Sequence, residues 1–172
     1  VGHVTKLSTA TSVHLKATAK RMADAGVAVT VLPSTDLFLM GRNDEKSIKR
    51  GVTAAHKLLK DGVNCSLSTN NVLNPFTPFG DCSLLRMANL YANICQVGAR
   101  AEVRDCFDMI TSRSAGILRL EEYGIKIGVP ADLVVIDTDQ PETAVAELAP
   151  PLYGFKRGRM TFKRAPVELL WP

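Results

Sequence analysis

The sequence predicts an α/β fold with parallel strands, because a helix followed by glycine and a short apolar strand occurs twice. In the first copy a helical pattern ends at Gly26 and residues 27–32 follow as an apolar run. In the second copy the helical pattern ends at Gly62 and residues 63–67 follow. Glycine suits the left-handed position that ends a helix. Repeated helix–strand units of this kind are typical of parallel sheets.

The individual elements follow from the spacing of apolar residues along the chain. Four helices are predicted, with apolar faces formed by Val13, Ala17 and Met22; by Ile48, Val52, Ala55, Leu58 and Leu59; by Leu84, Ala88, Tyr91, Ala92 and Cys95; and by Val103, Phe107 and Ile110. A strand over residues 132–137, a loop containing Pro141, Pro150 and Pro151, and a hairpin over residues 152–163 around Gly154 and Gly158 are expected next. We therefore expect two domains, residues 1–124 and residues 125–172, with the boundary near residue 125.

The ends of the predicted parallel strands are the expected location of any chemistry. In open α/β sheets, ligands bind beyond the carboxyl ends of the strands. The loops after the two predicted strands begin near Pro33 and Ser68. His3 precedes the first helix and therefore occupies the equivalent position at the end of a preceding strand. The sequence predicts three successive strand ends, at His3, Pro33 and Ser68.

Length and composition exclude several classes. The chain has 172 residues, which is too few for a complete (β/α)8 barrel of roughly 250 residues. It contains no apolar run of about 18 residues, so no membrane span is predicted. Its formal net charge is +4, but apart from a cluster at Lys156-Arg157, Arg159 and Lys163-Arg164 the basic residues are scattered. No known binding motif accompanies them, so a nucleic-acid-binding module is the weakest hypothesis. The four cysteines are too widely spaced for a zinc ribbon, and we expect reduced thiols in a cytoplasmic protein.

Four blocks of sequence carry a resemblance to a known family. They are Gly2-His3-Val4-Thr5; residues 37–42 with 50–53; residues 68–80, which read STNNVLNPFTPFG; and residues 123–135, which read YGIKIGVPADLVV. In this order they resemble the C-terminal part of the amidohydrolase superfamily, in particular its cytosine-deaminase-like branch. The resemblance covers nearly the whole chain.

The resemblance implies the C-terminal part of a TIM-barrel (β/α)8 metal-dependent hydrolase with part of a small β-sandwich domain. It places the first five barrel strands outside this chain. Three of eight strands would leave open sheet edges, which need covering. The expected partners are therefore the missing N-terminal part of the barrel or a partner chain, with a homo-oligomer as a further arrangement.

The resemblance also assigns roles at the three strand ends. In the family a divalent metal, zinc or iron, is held by a His-x-His pair after the first strand, a His after the fifth and an Asp after the eighth. His3 would be the sixth-strand histidine that orients or activates the attacking water. Pro33 would close the seventh strand, and Asn70 would stand at the catalytic, metal-binding Asp position. Most metal ligands would then lie outside this chain.

Three residues of the loop after the third strand end, Asn71, Asn74 and Phe76, match positions near the family's ring substrate, and Arg42 is a fourth candidate for substrate binding. Asn71 and Asn74 lie in the same loop as Asn70, and Asn71 is suited to hydrogen-bond the edge of a heterocycle. Phe76 is suited to stack on a planar ring, but core packing explains it equally well. Arg42 is suited to an anionic group, a backbone carbonyl or a structural salt bridge.

Asn70 departs from the family pattern. An Asn side chain does not accept a proton at useful pH, and loss of a positioned general base costs about 10²–10⁴-fold in rate. The expected function is hydrolytic deamination of a cytosine-like or related cyclic nitrogen compound. One alternative is a catalytically degenerate module with an assembly or regulatory role. Others are that Asp81 or Asp36 supplies the acid, that the metal arrangement differs, or that Asn70-Asn71 only forms a turn.

Overall fold

The computed structural model describes residues 1–168, 170 and 171, and contains helices, a short parallel sheet and an antiparallel sheet. After a 3-10 helix at Thr5–Thr9, the α-helices are α1 Ser12–Asp24, α2 Pro33–Leu39, α3 Ala55–Lys60, α4 Leu84–Ile94, α5 Arg100–Met109, α6 Ser112–Ile117 and α7 Pro141–Glu147. The strands are β1 Val29–Val31, β2 Cys65–Leu67, β3 Leu133–Ile136, β4 Pro151–Lys156 and β5 Arg159–Lys163. Over the described residues, no helix is both long and apolar enough to cross a membrane.

The parallel sheet brings three strand ends side by side. Strands β1 and β2 pair in parallel, with Val29 opposite Cys65. Gly2 forms a parallel bridge with Thr30, and the backbone N–H of His3 donates to the carbonyl of Thr30 at 3.0 Å. The prediction of three successive strand ends is confirmed. The described residues form part of a barrel wall and do not close it.

The hydrophobic core lies between this sheet and helices α3, α4 and α5. Val29, Val31 and Cys65 are fully buried in the same hydrophobic cluster as Tyr91 of α4. The Tyr91 hydroxyl accepts the backbone N–H of His56 at 2.9 Å and lies 2.7 Å from its Nδ1. Because the first N–H groups of a helix lack partners within the helix, this hydroxyl serves as the cap that α3 otherwise lacks.

The C-terminal part of the chain forms the antiparallel sheet β3-β4-β5. Strands β4 and β5 pair from Tyr153 with Lys163 to Lys156 with Arg159, which confirms the predicted hairpin. Helix α7, between β3 and β4, packs against α4 and α5 and buries Val145. Helix α7 therefore packs into the core of the N-terminal region, and the boundary near residue 125 stays a prediction.

Two details of the predicted helices are wrong. The predicted apolar face of α1 is solvent-exposed at Val13 (81%) and Ala17, whereas its third member, Met22, packs against the core together with Leu15 and Ala19. Both sets have helical spacing, and only tertiary packing decides between them. The second predicted helix begins at Ala55, not near Ile48, which is 63% exposed in the preceding loop.

Helices α2 and α7 form where loops were expected. Pro33 and Pro141 each occupy the first turn of a helix, where proline's fixed φ is compatible and its missing N–H costs nothing. The interpretation of Pro33 as the end of β1 is confirmed, but the same residue also starts α2. The loop prediction around Pro141 is wrong.

Candidate functional site

The three strand ends hold a connected group of polar side chains, which we call the strand-end cluster: His3, Asp36, Asn70, Asn71 and Asn74. The Nδ1 of His3 lies 2.5 Å from Oδ1 of Asp36, and its Nε2 lies 3.3 Å from Nδ2 of Asn70. The two imidazole nitrogens are therefore engaged from opposite sides. The fold brings these residues together from positions 33 and 67 residues away from His3.

The backbone at His3 is strained and held in place. His3 and Val4 both have positive φ, 64° and 50°, which is costly for a β-branched valine. The Thr53 hydroxyl donates to the carbonyl of Val4 at 2.8 Å, and the β1 carbonyl of Thr30 holds the N–H of His3. Strain of this kind persists only where surrounding contacts fix it, and it is frequent at functional sites.

Asp36 is buried beneath the imidazole. Its residue is only 1% exposed, and its second carboxyl oxygen accepts the backbone N–H of Leu32 at 3.3 Å. Burial raises the pKa of Asp36, and the hydrogen bond and charge of His3 counter that shift. A buried carboxylate facing Nδ1 orients a histidine and stabilises the imidazolium that forms when Nε2 takes a proton.

Three asparagine side chains form a line of hydrogen bonds that ends at His3. Asn74 donates to Asn71, and Asn71 donates to Asn70, each at 2.9 Å. The amide oxygen of Asn70 also accepts the Thr35 hydroxyl at 3.1 Å. We call Asn74, Asn71 and Asn70 the asparagine ladder. The interpretation of Asn70-Asn71 as turn residues alone does not explain this directed line of contacts.

The other two sequence-predicted site residues are not in the cluster. Phe76 is 59% exposed, so the core-packing explanation is wrong for the described chain. Its backbone N–H donates to Oδ1 of Asn74 at 3.0 Å, which places its backbone beside the ladder. The guanidinium of Arg42 lies 5.0 Å from the centre of the Phe38 ring, a cation–π contact that sequence analysis did not predict.

Of the two acids proposed to compensate for Asn70, only Asp36 joins the cluster. Asp81 instead accepts from Nε and Nη2 of Arg86, at 3.1 and 2.8 Å. These hydrogen bonds hold the pKa of Asp81 at about 2. Sequence analysis missed Thr35, because it fell in a segment expected to be a loop. Its place in the first turn of α2, beside Asp36, becomes evident only once Pro33 is recognised as a helix start.

Comparison with known proteins decides the family. The sequence pattern of the Amidohydrolase family matches residues 2–162. The chain belongs to the amidohydrolase family. The resemblance found in the sequence is confirmed.

Two relatives of this amidohydrolase chain are named as an amidohydrolase and a deaminase. It is 32% identical over 108 residues to N-isopropylammelide isopropyl amidohydrolase of Pseudomonas sp. (strain ADP), covering 62% of this chain and 27% of that protein. It is 28% identical over 136 residues to pterin deaminase of Rhizobium rhizogenes, covering 78% of this chain and 31% of that protein.

A solved structure shows the same fold. 5-Methylcytosine deaminase from Klebsiella pneumoniae, liganded with 5-fluorocytosine, superposes with a TM-score of 0.92 at 24% identity. The match covers 99% of this chain and 42% of that structure. This chain therefore spans about a third or less of the curated relatives and about two fifths of the solved structure.

The described residues do not make a metal site by themselves, although the amidohydrolase family is metal-dependent. No group of three or more His, Cys, Asp or Glu side chains in this part of the chain is arranged to hold a metal ion. The Asn70 oxygen, the atom that would ligate, already accepts from Thr35 and Asn71, and its nitrogen faces His3. These residues do not fit the metal-binding role that the resemblance implied for Asn70.

Proposed function

We propose that this chain contributes to the hydrolytic deamination of a cyclic nitrogen compound by the whole protein. The observation that carries the proposal is the position of His3, at a strand end of an amidohydrolase fold, between buried Asp36 and Asn70. The names of pterin deaminase and 5-methylcytosine deaminase support an amino-substituted heterocycle as the substrate class.

In this reaction water adds to the ring carbon that bears the amino group. One proton of the water is transferred to the amino nitrogen, which leaves as ammonia, and the other passes to the ring nitrogen as the carbonyl forms. The His3 side chain is 42% exposed in this chain, so its imidazole is partly open to solvent. We propose that Nε2 accepts the proton from water and later delivers it to the leaving amine, while Asp36 stabilises the transient imidazolium.

The substrate contacts are a second part of the proposal. The exposed Phe76 ring offers a face for stacking on a planar heterocycle. Asn71, which is hydrogen-bonded to Asn70, is proposed to bind the edge of that heterocycle. Any zinc or iron of the whole protein is proposed to depend on ligands supplied from outside this chain. No step of the proton transfer described above is assigned to that metal.

The experiment uses the complete protein with cytosine, 5-methylcytosine and pterin, and measures ammonia release. We expect the His3→Gln variant to lose about 10²-fold or more in kcat/KM on the compound that is deaminated. The matched control is His14→Gln, because His14 is an exposed histidine on α1. Unchanged kcat/KM in His3→Gln would contradict the proposed role of His3.

A catalytically degenerate module with an assembly or regulatory role is the second candidate function. The observation that favours it is the amide at position 70, whose oxygen is already engaged by two donors. This candidate predicts no ammonia release from the complete protein with any of the three compounds. It also predicts that sedimentation finds this protein in a stable assembly, which His3→Gln leaves intact.

A further inference from the structure

The far end of the asparagine ladder has only one hydrogen-bonding orientation. Oδ1 of Asn74 accepts the backbone N–H groups of Phe76 at 3.0 Å and of Thr77 at 3.1 Å. A backbone N–H can only donate, so the oxygen of Asn74 must face these two groups. Its Nδ2 is thereby turned towards Asn71.

This orientation is passed along the ladder to His3. Because Asn74 donates, Asn71 must present its oxygen, and its own nitrogen then faces Asn70. Asn70 in turn presents its oxygen to Asn71 and its nitrogen to Nε2 of His3. An amide nitrogen offers only donors, so Nε2 must accept and carries no hydrogen in this arrangement.

The opposite side of the imidazole requires the same arrangement. The Leu32 N–H holds one carboxyl oxygen of Asp36, and the other lies 2.5 Å from Nδ1. A carboxylate only accepts, so Nδ1 must carry the hydrogen. The hydrogen bonds on the two sides of the ring are fixed by different backbone groups, Leu32 on one side and Phe76 and Thr77 on the other. Both sides imply the same position for the hydrogen, on Nδ1.

We propose that the asparagine ladder is a positioning device that, together with Asp36, keeps the hydrogen of His3 on Nδ1 and leaves Nε2 unprotonated. Asn71 and Asn74 then act on the imidazole through Asn70. The consequence for catalysis rests on the proposed function, since an unprotonated Nε2 is what a proton acceptor needs. The hydrogen position itself does not depend on any substrate.

The test is the 15N shift of the His3 ring in the labelled complete protein, recorded at alkaline pH. The His3 signals are assigned by their loss in His3→Gln. We expect Nε2 to show the downfield shift of an unprotonated nitrogen and Nδ1 the upfield shift of a protonated one. The reverse pattern overturns the proposal.

The decisive variant is Asn74→Asp, which lies at the far end of the ladder and does not touch His3. A carboxylate still accepts the Phe76 and Thr77 N–H groups but cannot donate to Asn71. The ladder then reverses, the oxygen of Asn70 faces Nε2, and the Nε2 signal moves upfield. Asn43→Asp makes the same charge change in an exposed loop and is expected to leave the signal unmoved.

A second variant combines Asn74→Asp with Asp36→Asn, so that both sides of the ring favour the same change. The Leu32 N–H keeps the new amide oxygen at position 36, so the new nitrogen donates to Nδ1, while the reversed ladder presents the oxygen of Asn70 to Nε2, and the hydrogen must move to Nε2. Unmoved Nε2 signals in both variants, with native backbone shifts at Phe76 and Thr77, overturn the proposal. The expected shifts in a protein that deaminates none of the three compounds support the ladder while contradicting the proposed function.

Discussion

The Nε2 of His3 and the amide nitrogen of Asn70 lie 3.3 Å apart, although the two residues are separated by 67 positions in the chain. Replacing Asn70 by Asp tests what this contact does. An aspartate only accepts, so it can hydrogen-bond to Nε2 only when Nε2 carries a hydrogen. Because Asp36 still holds a hydrogen on Nδ1, this contact favours the imidazolium form of His3. We expect Asn70→Asp to lower kcat/KM for deamination by about 10²-fold, because the proton acceptor is lost.

The degenerate-module candidate predicts the opposite result for the same variant. It expects Asn70→Asp to restore the family's carboxylate, and with it both metal retention after dialysis and ammonia release. Metal content is therefore measured alongside kcat/KM, with Asn43→Asp as the charge-matched control. A gain in both quantities would refute our assignment of Asn70 as a partner of His3.

The thiols of this chain are expected to differ sharply in reactivity. Burial raises the pKa of Cys65 and Cys106 to about 12 and that of Cys95 to about 11, whereas Cys82 is exposed. Because the thiolate is the reactive form, a thiol reagent at pH 8 should modify Cys82 first. Peptide mass mapping of the native protein checks this, and urea should make the other three thiols reactive.

Two outcomes would contradict this expectation. Rapid native modification of Cys65 or Cys106 would mean that the strand β2 and helix α5 sites open readily. If the Cys82→Ser variant still shows a rapidly modified thiol, that rapid modification belongs to a different cysteine. The variant is suitable because Cys82 lies outside the buried core.

The parallel strands and their order were predictable because their signals are local. A glycine at a helix end, followed by β-branched residues, specifies both the turn and the strand, as at Gly26 and Gly62. The proximity of His3 to the loop of Asn70 was predictable as well, because the ends of parallel strands meet at one edge of a sheet.

The role of Asp36 was not predictable in the same way. Its burial depends on helix α2 starting directly at Pro33 and on the 2.5 Å contact with a residue 33 positions earlier. The prediction of which face of α1 is buried failed for a similar reason. Val13 and Ala17 have the same helical spacing as Leu15 and Ala19, and only the packing partners of α1 distinguish the two faces.

Gly51 is expected to be essential for the packing of the loop over Asp36. It has a φ of +72°, and a Cβ there would lie 2.3 Å from Cγ of Met40 and 2.9 Å from the carbonyl oxygen of Asp36. Gly51→Ala should cost about 1–2 kcal/mol for the left-handed backbone and a further ~1–3 kcal/mol for overpacking. Urea denaturation of the complete protein measures the loss.

Gly26→Ala is the matched control for this variant. Gly26 has a similar φ of +65°, but a Cβ there meets nothing within 4 Å. It should therefore show only the backbone cost of about 1–2 kcal/mol. Equal losses in the two variants would show that the close approach to Met40 and Asp36 is relieved without cost.

His56 is expected to make the folded chain sensitive to acid. Burial is the largest influence on this histidine and lowers its pKa below the ordinary value of 6.5. The unfolded chain therefore binds a proton as the pH falls through about 6.5, while the folded chain does not until a lower pH. The stability contributed by neutral His56 is complete above that window and is lost as the pH falls through it.

Urea denaturation at pH 7.5 and pH 5.5 measures this contribution. We expect the free energy of unfolding to fall between the two pH values, and to fall less in His56→Gln, which cannot take up the proton. His14→Gln, on the exposed face of α1, should keep the full decrease. An equal decrease in His56→Gln and in the unmodified protein would mean that groups other than His56 cause the acid sensitivity, and that Tyr91 does not hold His56 in a neutral, buried state.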